Sequence, residues 1–183
     1  MLSVGGRAAA RRLLDANFPE SFHADLCAAA GLDLDAIEVS AAHARVQGLR
    51  RRDPAFRGHI VVAYEYRCAM CGYDGRLGYD AVGLDAAHVR WWAFDGPDTV
   101  DNGLCLCSFH HKVLDRGVLG ITEDHQVAVW SHFVGHGRAA EDLVLRLVGQ
   151  PLLEPQRGQP PPADGHIGWH AEQVFREPAR VPA

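Results

Sequence analysis

Nowhere in the 183-residue chain is there a run of about 18 apolar residues, so it contains no stretch of the kind that crosses a bilayer as a helix. The opening "MLSVGGRAAARRLLDANF" carries arginines but lacks the apolar core and small-residue cleavage site of a secretory leader, which leads us to expect a cytoplasmic, reducing setting. In that setting clustered cysteines favour a metal over a disulfide. Positive charge is not in excess either. The formal net charge of -5 argues against a protein that coats nucleic acid by bulk attraction. The local exception is "RVQGLRRRDPAFR", where Arg45, Arg50, Arg51, Arg52 and Arg57 either pair with phosphates or form a solvated linker. There is no internal repeat, and the length suits one main domain with appendages.

The pattern predicts helices early in the chain. "GRAAARRLLDANF" and "SFHADLCAAAGL" carry apolar positions three and four apart, with Pro19 between them. Ser21 is a candidate cap for the second helix and Gly31 a candidate stop, while Cys27 reads as a small buried residue without a ligand partner. A third helix is expected over "AFRGHIVVAYEY", with Phe56, Ile60, Ala63 and Tyr64 on one face. From residue 66 to 122 the chain reads as turns, short strands and one helix. "QPLLEPQRGQPPPADG" is an extended, proline-rich segment, and "HIGWHAEQVFREPAR" a short final helix docked by Trp169 and Phe175. We expect an N-terminal helical and linker segment over 1–55, a central domain over 56–149, and a C-terminal extension over 150–183 that packs on it.

The chemistry lies in the middle. "CAMC" sets Cys68 and Cys71 at a spacing that lets one tight turn present two thiolates to a tetrahedral ion. "CSFH" supplies Cys107 and His110 at the same spacing, completing the Cys3His set that Zn2+ prefers. Cys105 is the rival to Cys107, since the two point to the same face of an extended segment, and the spacing favours Cys107. With four protein ligands the site has no open position, so its zinc is expected to be structural.

His111 follows the last zinc ligand and points elsewhere on the helix that begins there. Upstream, "GLDAAHVRWW" ends a strand-like element with His88, and "DTVDNGL" places Asn102 in a loop before the zinc pair. Together these residues, within "CAMCG" through "LDAAHVRWW" to "DTVDNGLCLCSFHHKVLDRG", resemble an HNH endonuclease of the ββα-metal fold. "RRLLDANFPESFHADLCAAAGLDL" and "WHAEQVFREPAR" are in turn similar to the catalytic half of bacterial modification-dependent restriction nucleases, those that pair an HNH domain with a sulfur-binding domain reading phosphorothioated DNA.

The resemblance implies an α+β fold: a ββα-metal core with a structural zinc site, preceded by helices and followed by the proline-rich extension and final helix. It implies hydrolysis of phosphodiester bonds in double-stranded DNA, in restriction of phosphorothioated or methylated foreign DNA. His88 is implied as general base, Asn102 as the residue that orients His88 or braces its hairpin, and His111 as ligand of a catalytic Mg2+ or Mn2+. Cutting both strands usually takes two active sites, so a homodimer is an expected possibility; with about 55 residues ahead of the nuclease segment, either the chain is a fragment or truncated relative of such an enzyme or its modification-recognition domain sits in a different polypeptide.

This chain departs from the common pattern at Ala87, where many HNH enzymes carry an acidic or histidine ligand before the base. Asp85, on the same strand face, and Asp115, one turn beyond His111, are the candidate replacements, beside water. The departure also sustains an alternative reading, a zinc-stabilised DNA-binding module with weakened catalysis. His170 beside Trp169 reads as structural or phosphate-facing, and His132 and His136 as surface loop.

Overall fold

The structure, a computed structural model, describes residues 10, 11, 13–15, 17–33 and 53–182; Arg45, Arg50, Arg51 and Arg52 lie outside them. The chain divides into two compact units, residues 1–52 with 91–95 and residues 53–90 with 96–183.

In the first unit, the described residues among 10–17 are helical and α1 spans Glu20–Ala29. Its buried residues His23 and Cys27 are four apart and so share one face. Pro19 occupies the N-cap position, which puts Ser21 inside the helix and corrects the expected cap. The stop is as expected. Gly31 takes φ +65°, and the amides of Gly31 and Leu32 return to the carbonyls of Ala28 and Cys27. Phe22 meets Trp91 edge to face at 6.3 Å.

The second unit holds the site. Helix α2, Phe56–Ala63, buries Phe56, Ile60, Val61 and Ala63, with Tyr64 buried just beyond. It stops short of the expected span because Glu65 and Tyr66 turn left-handed, φ 53° and 60°, and their amides return to Val62 and Val61. After the CxxC turn come a two-residue hairpin, β1 Arg76–Leu77 and β2 Asp80–Ala81, and then β3, Leu84–His88. Strand β4, Gly103–Cys107, pairs antiparallel with β3 from Leu84↔Cys107 to His88↔Gly103. Helix α3, Ser108–Asp115, follows β4 directly, giving the ββα order. A second hairpin, β5 Leu119–Ile121 and β6 Val127–Val129, and helices α4 Arg138–Leu143 and α5 Asp164–Gln173 complete the unit.

Two glycines are required by close approach. A Cβ on Gly103 would lie 2.2 Å from Ile60 Cδ1, so α2 rests directly on the start of β4. Gly117 combines φ +69° with a would-be Cβ contact of 2.0 Å to the Val174 carbonyl oxygen, which fits the segment after α5 against the end of α3.

The proline-rich segment is extended and pinned: the amides of Leu153, Gln156 and Ala163 donate to the carbonyls of Ala69, Ala63 and Asp101. The final helix docks through the buried Ile167 and His170, with Trp169 half-buried and the half-buried Phe175 ring lying on Gly120, where a Cβ would meet it at 2.5 Å. His170 Nε2 donates to the Leu114 carbonyl at 3.2 Å, tying α5 to α3. His132 and His136 are exposed in loop, and no helix of the described residues is long and apolar enough to cross a membrane.

Burial lowers the His170 pKa to about 4, partly opposed by the bond to Leu114. The folded state therefore keeps the ring neutral while the unfolded chain takes up a proton below about pH 6.5. Folding loses stability as pH falls from about 6.5 towards 4, by up to roughly 3 kcal/mol from this group. Thermal melts across that range are expected to fall less steeply for His170→Gln than for the parent chain, even though Gln lowers stability at neutral pH.

Candidate functional site

Cys68, Cys71, Cys107 and His110 converge with their ligand atoms all within 4.8 Å of one another. The CxxC turn forms because the Cys68 amide donates to the Tyr73 carbonyl and the Gly72 amide to that of Cys68, with Gly72 at φ +73°. Cys107 and His110 arrive from the end of β4 and the first turn of α3. His110 Nδ1 lies 3.2 Å from Cys107 Sγ and 3.5 Å from Cys68 Sγ, while Nε2 donates to the Leu143 carbonyl at 2.8 Å. A backbone acceptor on the far nitrogen is how a metal-binding histidine is oriented, and sulfurs of a tetrahedral zinc site stand about 3.8 Å apart. The four residues fit one Zn2+.

The sulfurs make the cluster a place that favours positive charge. Burial opposes a charged His110 ring, yet the sulfurs of Cys107 and Cys68 outweigh it and raise its pKa to about 10. Contacts from Cys107 and Cys71 hold the Cys68 thiol far below the usual range, whereas contacts with Cys107 and Cys68, together with burial, push the Cys71 thiol up. Cys105 stands apart from the cluster. It is wholly buried opposite Ala86, its carbonyl accepts the Ala69 amide, and burial raises its thiol to about 12.

A second group of polar residues is built around the same hairpin. His88 ends β3 opposite Gly103. Its Nε2 lies 2.7 Å from Asp98 Oδ1, and the Phe56 ring stacks on it with centroids 4.2 Å apart and planes 21° from parallel. Asp98 Oδ2 in turn accepts the Asp53 amide at 2.7 Å. Asn102 is fully buried: its Oδ1 accepts the Arg90 amide at 2.8 Å, and its Nδ2 donates to the carbonyls of Arg90 and Pro97 at 3.0 and 2.9 Å. With the Val89 amide donating to the Asn102 carbonyl, this side chain closes the loop that follows His88.

His111 lies on α3 between two carboxylates. Nδ1 is 3.9 Å from Asp85 Oδ2, and Nε2 is 3.6 Å from Asp115 Oδ2. The side chains differ in exposure, 46% for Asp85 and 3% for Asp115. His111 holds the Asp85 carboxyl below its usual range, with Ser108 Oγ 3.3 Å away and Arg57 nearby adding to the effect. Arg57 itself donates to the Leu84 carbonyl at 2.9 Å. Ala87 is fully buried opposite Leu104. Sequence reasoning missed Asp98, which reaches His88 only through the loop after β3 and carries no spacing signal.

With this geometry in hand, residues 68–122 match the family model described as HNH endonuclease. The resemblance drawn from the motif thus holds over the segment that contains the Cys3His cluster, His88, Asn102 and His111. No curated protein matches the chain. Among solved structures it is similar to one described as "Modification dependent TagI restriction endonuclease", at 24% identity and a TM-score of 0.48, covering 67% of this chain and 38% of that one. The chain therefore spans well under half the length of that protein.

Metal analysis of the purified protein is expected to find one zinc per chain. Cys107→Ala should lose it, whereas Cys105→Ala should keep it and lower stability by on the order of 1 kcal/mol. A zinc-free Cys105→Ala protein that still melts cooperatively would move the ligand assignment to Cys105. Asn102→Ala leaves three backbone groups of the loop without their partner and should cost about 2–4 kcal/mol in denaturant melts.

Proposed function

We propose that this chain is a divalent-metal-dependent DNA endonuclease of the HNH type, with His88 as general base and His111 as ligand of the catalytic ion. The observation that carries the reading is the division of labour around one ββα unit. The Cys3His cluster is closed by four protein ligands, while His88 and His111 are partly exposed and each is held beside carboxylates. A histidine with a pKa near 6.5 when unperturbed can take a proton from water at neutral pH. His88 would do so, with Asn102 bracing the loop behind it. His111, with Asp85 or Asp115, would hold Mg2+ or Mn2+, which when bound supplies positive charge to the phosphorane and the departing 3′ oxygen. The zinc cluster would anchor the CxxC turn to α3 and leave the chemistry to the other histidines.

Target choice is a finer reading. The likeness of "RRLLDANFPESFHADLCAAAGLDL" and "WHAEQVFREPAR" to modification-dependent restriction nucleases supports restriction of phosphorothioated or methylated foreign DNA in the cytoplasm. Recognition would then lie in a separate domain, and cutting of both strands would use two copies of the chain. Ala87 favours a second reading, a zinc-stabilised module that binds DNA and cuts it weakly.

Cleavage of supercoiled plasmid, modified and unmodified, separates the two. With Mg2+ or Mn2+ the parent chain is expected to cut, and His88→Ala to lose at least about 100-fold in rate with its zinc content unchanged. His111→Ala should weaken Mn2+ binding, followed by the loss of the free-ion EPR signal. DNA binding without cutting by the parent chain would overturn the nuclease and leave the binding module.

A further inference from the structure

The pairing of His88 with Asp98 goes beyond the reading above, on which it rests. We propose that Asp98 is the positioning residue of His88: by accepting from Nε2 it fixes the tautomer that carries its proton there and makes Nδ1 the nitrogen that receives a proton.

Three segments converge to hold this one ring. The end of β3 supplies His88; the loop after it supplies Asp98, whose Oδ1 is 2.7 Å from Nε2; the N-terminus of α2 supplies Phe56, stacked on the ring face. The carboxylate is itself held, since Oδ2 accepts the Asp53 amide at 2.7 Å and Asp53 Oδ1 accepts the Ala55 amide at 2.8 Å in the turn leading into α2. The side chains of His88 and Asp98 are only 13% and 12% exposed, so the pair is shielded from much of the solvent screening that weakens surface ion pairs. A ring stacked on one face and hydrogen-bonded at one edge keeps a single orientation. A neutral imidazole has one N–H and one lone pair, so a carboxylate that accepts at Nε2 leaves the lone pair at Nδ1.

The role is separable from a merely structural ion pair because one of the two carboxylate oxygens is already committed. In Asp98→Asn the amide oxygen satisfies the Asp53 N–H, and the amide nitrogen is then presented to His88 Nε2. A donor in that place forces the proton to Nδ1 and removes the lone pair that would accept from water, as happens when the orienting carboxylate of a serine-protease triad is replaced by its amide.

Two-bond 1H–15N correlation spectra of the full chain, assigned with His88→Ala, read the tautomer directly. The parent is expected to show the Nε2–H form and Asp98→Asn the Nδ1–H form, with zinc content and melting temperature recorded for both. Plasmid cleavage should fall by at least about 100-fold in kcat, with KM changed by less than about 3-fold, and Asp98→Glu should recover part of the rate. A parent ring in the Nδ1–H form overturns the proposal even if Asp98→Asn does not fold, and so does an Asp98→Asn protein with an unchanged tautomer and rate. A tautomer that switches in a protein that cuts no DNA leaves the positioning role standing and sinks the nuclease reading instead.

Discussion

The register of one short ribbon decides where every polar side chain of interest ends up. Strand β3 pairs with β4 from Leu84↔Cys107 at one end to His88↔Gly103 at the other, a span of about 13 Å. Cys107 feeds the Cys3His cluster at the first end, and His88 stands beside Asp98 at the second. A slip of one residue would turn both to the wrong face. The register is held by contacts that tolerate no shift: Ile60 lies where a side chain on Gly103 would be, the Ala69 amide takes the Cys105 carbonyl, and Asn102 bridges Arg90 to Pro97 just beyond His88. The buried asparagine is thus part of what keeps His88 at the ribbon's edge.

The same ribbon separates two kinds of histidine that stand side by side in the chain. His110 is fully buried, with its far nitrogen given to the Leu143 carbonyl and its near one to sulfur. His111, one position along α3, is a quarter exposed and has carboxylates at both nitrogens. Adjacent residues on a helix point about 100° apart, so the second histidine leaves the cluster without any further device. His170, the other wholly buried ring on α3's surface, ties the C-terminal helix to Leu114 and is kept neutral by burial.

Much of this was legible in the sequence because it rests on local spacing. The CxxC and CxxH pairs gave the cluster and the preference for Cys107, which the ligand distances match. The periodicity of "AFRGHIVVAYEY" gave the buried face of α2, and Gly31 gave the end of α1. The misses have a common physical origin in contacts between distant segments. The last helix buries Ile167 and His170 more deeply than Trp169 and Phe175, with His170 reaching the Leu114 carbonyl of α3, a contact that no spacing announces. The left-handed turn at Glu65 and Tyr66 has no glycine to announce it. Asp98 sits ten residues from His88 in an irregular loop, and only the folded path of that loop brings the two together.

Burial decides what the position before His88 can hold. Strand alternation places Asp85 and Ala87 on one face, and Ala87 is sealed against Leu104 where a carboxylate would lose its water with nothing to replace it. Asp85, two residues earlier, is nearly half exposed and can keep its charge hydrated. At the other edge of His111 the buried Asp115 takes the opposite part. Since a neutral imidazole has one N–H and one lone pair, His111 turns its N–H towards one of these carboxylates and its lone pair towards the other. Both carboxylates stand beyond ordinary hydrogen-bond length, at 3.9 and 3.6 Å, and act on the ring through charge. Acidic character beside His111 thus comes from residues other than 87, and their exposure differs by more than tenfold, 46% against 3%, so the Asp85 edge of the ring is open to solvent and the Asp115 edge is shielded from it.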